Sequence, residues 1–233
     1  MSGLQIIGIP QSTYVRIVRM VAHEKGAPYQ FVVAPPQSPD VKAIHPAGKV
    51  PVMRHGARTM FESSAIAHYI DTHFDGPPLT PRDPHGDREV EMWISYINTM
   101  IDPLLIRRYL FSYLFPKTQD KKPDRAAIDA MLPELEREIE VLDKALARTG
   151  HLVGDKLTIA DIYLLPILAY VRQTPEGGPL IAKAKNLSAF FDRHAERESF
   201  KATVPPRRRT EAQGSAALRR QRKDHAGGRT VRV

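Results

Sequence analysis

Two short stretches carry residue types suited to holding a peptide-like ligand. The first is Lys49-Val50-Pro51. Pro51 fixes its own φ, has no N–H, and drives Val50 into extended backbone. A cis Val50-Pro51 bond would turn the N–H and C=O of Val50 toward a strand-like partner, and the sequence leaves cis and trans both open. Eleven residues past Pro51 comes Glu62-Ser63, at the mouth of an amphipathic segment. Ser63 and Ser64 are helix N-cap types, and the N–H groups of the following turn, with the helix dipole, favour a bound carboxylate. Glu62 would accept from an ammonium group. A ligand with an α-amino acid end and a peptide bond fits the pair. Taken singly, each stretch also reads as a turn proline in a β-loop or as an ordinary capped helix.

Composition limits the chemistry available around these residues. A chain of 233 residues can bury one large core or two modest ones. It has no cysteine, which excludes a disulfide framework, a thiolate nucleophile of its own and a cysteine metal site. No apolar window spans a bilayer, and MSGLQIIGIP lacks a basic region followed by a long apolar run, so a soluble cytoplasmic protein is expected. The net charge of +8 is unevenly placed. Residues 205–233 hold nine Arg and Lys against Glu211 and Asp224, so seven of the excess charges belong to that tail and the remaining body is nearly neutral. With few large apolar residues, the tail is expected to be a disordered extension. Its charge could touch RNA or acidic lipid, yet neither nucleic acid nor membrane is the expected partner.

The elements that must position the two stretches follow from periodicity. Leu4 to Ile9 reads as a buried strand, Tyr14 to Glu24 as a helix ended by Gly26, and Tyr29 to Val33 as a second strand. Val50 to Arg54 and Arg58 to Phe61 read as strands joined at His55-Gly56-Ala57, followed by a helix from Ser64 to Phe74. The run DGPPLTPRDPHGD, rich in proline, marks a linker. Beyond it the pattern is helical: Arg88 to Phe115 interrupted at Pro103, Arg125 to Arg148, a buried helix opened by a Thr158/Asp161 capping box, and Ser188 to about Arg197. Asp161 reads as a capping residue, and Trp93 and Tyr96 as core.

These residues carry a resemblance. The β-α-β-β-β-α half resembles the thioredoxin-like domain of glutathione S-transferases, and GDKLTIADI is similar to the capping motif of their all-helical second domain. Gly8, Pro10, Ser12 and Arg16, with HPAGKVPV and MFESSAIAHYI, look most like bacterial-looking serine-type members of the phi and theta sort. The resemblance spans residues 4 to about 203. It implies an α/β thioredoxin-like domain at 1–76, a linker at 77–87, and an all-α domain at 88–204, with the basic tail at 205–233.

By the same resemblance, Glu62 would meet the ammonium and Ser63 the carboxylate of the γ-glutamyl end of glutathione. Val50 would pair with the cysteinyl backbone, Pro51 matches the family's cis-proline, and Lys49 stands where the glycyl carboxylate is reached, with Lys42 and His45 as nearby candidates. Ser12 would donate to the glutathione thiolate, with the α-helix N-terminus adding positive potential. Tyr14 ranks second for that role, and Arg16 is read as structural, its stem packing and its charge pairing with a carboxylate. The pocket for the electrophile is expected between the domains, from Ile9, Pro10 and Gln11 on one side and Tyr109, Tyr113 and Phe115 on the other. Glutathione is expected as co-substrate, no metal as cofactor, and a homodimer as the assembly. Serine-type relatives commonly carry Glu-Ser-Arg where this chain has Glu62-Ser63-Ser64. The missing arginine keeps a second reading open, a glutathione-binding or scaffold protein with little or no turnover.

Overall fold

The computed structural model describes residues 3–206. The basic tail expected from 205 onward therefore lies outside the described residues from 207. The chain opens with β1 (Leu4–Gly8), α1 (Thr13–Glu24) and β2 (Tyr29–Val33), then a short α2 (Pro39–Lys42), β3 (Val52–His55), β4 (Arg58–Phe61) and α3 (Ser63–His73). The four strands form one sheet in the order β2-β1-β3-β4. β2 runs parallel to β1 with Leu4 opposite Tyr29, while β3 runs antiparallel to both β1 and β4. The interior strand β1 buries Leu4, Ile6 and Ile7, and α1 buries Val15, Ile17, Val18 and Val21, as helical spacing of apolar residues requires. This is the expected thioredoxin-like half, with α2 as a turn of helix between the second and third strands that the periodicity did not mark.

The second half is all helical. α4 (Pro84–Tyr96) runs on without a break into a π-helical stretch, Ile97–Leu110, and closes in α5 (Phe111–Leu114). Pro103 therefore does not interrupt the helix, contrary to the expectation from sequence. Its missing N–H and its ring defeat the ordinary i→i−4 pattern, and the wider π register accommodates it. Then come α6 (Arg125–Leu146), α7 (Ile159–Val171), α8 (Gly177–Lys183), α9 (Lys185–Ala195) and α10 (Glu198–Lys201). Among the described residues no helix is long and apolar enough to cross a membrane.

One core joins the halves, running from Ile17 and Val21 of α1 through Leu164, Leu165 and Leu168 of α7. α7 is apolar on all sides and nearly fully buried. Its start is fixed by Asp161, which accepts from the Thr158 N–H at 2.8 Å, the Thr158 hydroxyl at 3.0 Å and the Leu152 N–H at 2.8 Å. Burial pushes the Asp161 carboxyl up to about 6, while the bonds from Leu152 and Thr158 pull it the other way. The capping role expected for Thr158 and Asp161 thus describes the structure. One polar tie pins the linker and another joins the halves. Lys25 and Asp71 form a buried ion pair at 3.1 Å, in which Lys25 also bonds the Gly76 and Pro77 carbonyls and Asp71 accepts from Leu79, pinning the linker. Glu24 at the end of α1 accepts from Nε and Nη2 of Arg197 at 2.7 and 2.6 Å and from Ser199. Burial alone would raise the Glu24 carboxyl, but these donors hold it below the ordinary range.

Candidate active site

Ser12 caps α1 where the chain leaves β1. Its Oγ accepts from the Val15 N–H at 3.4 Å, and no described residue takes the hydrogen of its own hydroxyl. A hydroxyl has two lone pairs and one hydrogen, so capping uses an acceptor and leaves the donor for something else. The loop around it is braced from the other half: the Tyr170 hydroxyl donates to the Gln11 carbonyl at 2.8 Å, and the Ser12 N–H reaches the Ile9 carbonyl at 3.2 Å. Tyr14 is placed differently. Its ring meets Tyr163 edge-on at 6.4 Å, and the Arg107 guanidinium lies 5.8 Å from the ring centroid. Burial first, and the Asp102 carboxylate second, push its phenol well above the usual range. It therefore holds its proton.

Arg16 sits one helical turn beyond Ser12 and is fully buried. Its guanidinium lies 4.8 Å from the Phe200 ring, and its Nε and Nη2 have no partner among the described residues. The packing expected of its stem is present, whereas the expected carboxylate is not. Burial lowers the guanidinium to about 10, and no carboxylate among the described residues pairs with it.

The second part of the site lies along the Val50 loop and the start of α3. The Val50-Pro51 bond is cis. β3 begins only at Val52, and among the described residues no backbone group bonds the N–H or C=O of Val50. Gly48, with φ +63°, packs directly against the Gln37 side chain, whose amide donates to the Ala47 carbonyl at 2.8 Å. A side chain at Gly48 would collide with that amide. Lys49 and Lys42 are exposed.

Glu62, not Ser63 or Ser64, is the N-cap of α3, and Ser63 is the first helical residue. Glu62 holds φ at 67°, which costs energy for any residue but glycine, and its carboxylate stands 68% exposed. His45 is buried beside it. Its Nδ1 accepts from the Ala47 N–H at 3.0 Å, which places the ring hydrogen on Nε2, 3.5 Å from Glu62. His45 thus steadies Glu62. Ser63 is buried, and its hydroxyl meets that of Tyr163 at 2.7 Å.

The expected wall for a second substrate is only partly in place. Ile9, Pro10 and Gln11 lie half-buried to exposed at the end of β1. Tyr109, however, is fully buried, its hydroxyl bonded to Thr174, Glu176 and the Gly177 N–H at 2.8, 2.8 and 3.1 Å. The Tyr113 hydroxyl goes to Glu176 and Arg125, and Phe115 stands exposed with its ring against Phe111. A buried phenol must find a partner, and the start of α8 supplies it, so Tyr109 belongs to the core and not to a pocket wall. Facing α1 instead are Asp102 and Arg107 of the π-helical stretch, paired at 2.8 Å across five residues, with Arg107 also over Phe111. A pair spaced i to i+5 suits a π register. Sequence reasoning that assumed α spacing had no means to find it.

Tyr163 and Tyr170 were missed as well. Each is a hydroxyl on an otherwise apolar helix, TIADIYLLPILAY. That polar atom, which needs a partner inside the fold, was the available signal.

Residues 6–78 match the family described as glutathione S-transferase, N-terminal domain, and residues 105–198 match glutathione S-transferase, C-terminal domain. The chain is 29% identical over 217 residues to glutathione S-transferase 3 of Zea mays, covering 88% of this chain and 94% of that one. Among solved structures, the apo form of glutathione S-transferase III superposes with a TM-score of 0.76 at 28% identity, covering 88% of this chain and 99% of that one. A theta-class glutathione S-transferase from Xanthomonas axonopodis pv. citri, solved with glutathione bound, superposes with a TM-score of 0.74 at 25% identity, covering 88% and 98%.

Proposed function

The chain belongs to the glutathione S-transferase family, and on that premise we propose that it grips glutathione along Val50 and the start of α3 and activates its thiol through Ser12. The protein is a glutathione transferase that joins the glutathione sulfur to small hydrophobic electrophiles. The observation that carries the site reading is the conjunction at Val50 and Glu62: a backbone next to a cis proline that has no backbone partner among the described residues, and a carboxylate on a residue held at positive φ at a helix N-terminus. In this reading Glu62 takes the ligand's ammonium, Ser63 and the first N–H groups of α3 take the adjoining carboxylate, and Val50 pairs with the cysteinyl backbone. Lys49, with Lys42 as the other candidate, stands toward the glycyl end, whereas His45 is engaged with Glu62 and Ala47.

The chemistry assigned to the chain is simple. The thiol loses its proton to solvent, and the Ser12 hydroxyl donates its free hydrogen to the thiolate while Val15 keeps Oγ oriented. The sulfur lone pair then forms a bond to the electrophilic carbon, and the leaving group departs with the electron pair of the broken bond. Ser12 is a donor throughout and never a nucleophile. Tyr14 is disfavoured for this role because its ring is packed between Tyr163 and Arg107.

Calorimetric titration with glutathione tests the grip. Wild type should bind, and Glu62→Gln, which keeps the shape and removes the charge, should weaken binding roughly 10-fold, in line with loss of one charge-assisted hydrogen bond. Equal affinity of the two proteins would remove Glu62 from the site. Assembly as a homodimer belongs to the same proposal. It is supported by apolar side chains left in solvent on β4, α4 and the π-helical stretch: Phe61, Met92 and Met100 are 40%, 56% and 42% exposed. Sedimentation velocity at micromolar concentration should give twice the 26.2 kDa of one chain, and a monomer would contradict it.

A further inference from the structure

The Ser63 hydroxyl, assigned above to the ligand's carboxylate, already has a partner within the protein. Tyr163 of α7 lies 2.7 Å away, and both residues are buried, with exposures of 8% and 0%. Between two hydroxyls either can donate, and the surroundings decide which does. Tyr163 reaches no other acceptor among the described residues. Were Ser63 the donor, the phenol hydrogen would be left unpaired in a water-free core, which is costly. If Tyr163 donates, its hydrogen is satisfied and the Ser63 hydrogen is released toward the mouth of α3. Accepting one hydrogen bond also strengthens a hydroxyl as a donor of the next.

We propose that Tyr163, by donating to Ser63 Oγ, is a positioning residue that aims the Ser63 hydrogen at the carboxylate of the γ-glutamyl end, so that the helical half takes part in recognising glutathione. The proposal rests on the placement of glutathione described above. Tyr163 is firmly held in this position, because α7 is anchored at its start by Asp161 and the Tyr14 ring braces Tyr163 from the side of α1. The arrangement also links the grip to the reactive end, because Tyr14 follows Ser12 by two residues.

Three peptides separate positioning from a merely structural role. Glutathione has both the α-amino group and the α-carboxylate, glutaryl-cysteinyl-glycine keeps only the carboxylate, and 4-aminobutyryl-cysteinyl-glycine keeps only the amine. Calorimetry on wild type and Tyr163→Phe should show a loss of roughly 10-fold for glutathione and for the glutaryl peptide, the size of one hydrogen bond to a charged group, and no loss for the aminobutyryl peptide. An equal loss with all three peptides, or none with any, overturns the proposal. If wild type itself binds the aminobutyryl peptide as tightly as glutathione, the placement of the carboxylate at Ser63 fails, and this proposal falls with it. Should Tyr163→Phe not fold, the Tyr163 hydroxyl hydrogen of the wild-type protein, shielded from exchange, gives a second readout by proton NMR. It should shift when the glutaryl peptide binds and stay in place with the aminobutyryl peptide, and equal shifts with both overturn the proposal.

Discussion

Replacing Asp161 by alanine should lower the thermal unfolding midpoint by roughly 10 °C, the shift expected when ~3–5 kcal/mol is lost from a domain of this size. The carboxylate accepts from two backbone N–H groups, those of Leu152 and Thr158, and from the Thr158 hydroxyl, all in a site closed to water. Alanine strands these donors, and each unpaired buried donor costs ~1–3 kcal/mol. Asp161→Asn keeps one acceptor oxygen, so it should fall between wild type and alanine. Circular dichroism melts of the three proteins check the order, and a shift of only a degree or two for alanine would show that the motif does not anchor α7. Function should follow stability here, because α7 carries Tyr163, which meets Ser63, and Tyr170, which braces the Gln11 carbonyl.

Ser12→Ala should cut turnover at neutral pH by at least about 25-fold, the ratio of thiolate present when a thiol pKa near 6.5 returns to the ordinary value near 8.5. The sign follows from the reactive species. Conjugation needs the thiolate, so the rate climbs as pH rises through the pKa of the bound thiol. Loss of the donor moves that climb to higher pH by about 2 units, and the rates of the two proteins converge above about pH 9. Alanine also removes the α1 cap, at a cost of about 1 kcal/mol. Ser12→Asp separates the two roles. Its carboxylate can accept from the Val15 N–H and so preserve the cap, but it has no hydrogen to give and its charge opposes the thiolate. Asp should therefore melt like wild type and turn over no better than alanine. Steady-state pH profiles with an aryl halide check this, and an aspartate variant with full activity would reduce Ser12 to a cap.

Much of this architecture was legible before any coordinates. Tyr29 to Val33 and Arg58 to Phe61 begin and end where apolar alternation places them, and the Thr158/Asp161 pair marks the start of α7 to the residue. Such features are local, set by turn residues and capping side chains a few positions apart. The local geometry of the proposed grip was legible for the same reason: a proline after Val50 and a helix start at Glu62-Ser63 are set by neighbouring residues. The register at α3 was off by one because serine is the usual cap type, while a glutamate at positive φ takes that place here. The second-substrate wall was misjudged for a different cause. Tyr109 belongs to a π-helical stretch whose register cannot be read with α spacing, and Tyr113 lies in α5 just beyond it; both hydroxyls meet Glu176, which is more than sixty positions away in the chain. Contacts between residues a hundred positions apart, such as Ser63 with Tyr163, leave no periodic trace at all.

Titration of bound glutathione, following the thiolate absorbance in the near ultraviolet as pH is raised, bears most directly on Ser12 as donor to the sulfur. On the wild-type protein the thiol should ionise near pH 6.5, about 2 units below free thiols, a stabilisation of the anion of about 2.7 kcal/mol. Ionisation of the bound thiol near 8.5, unchanged by Ser12→Ala, would contradict it.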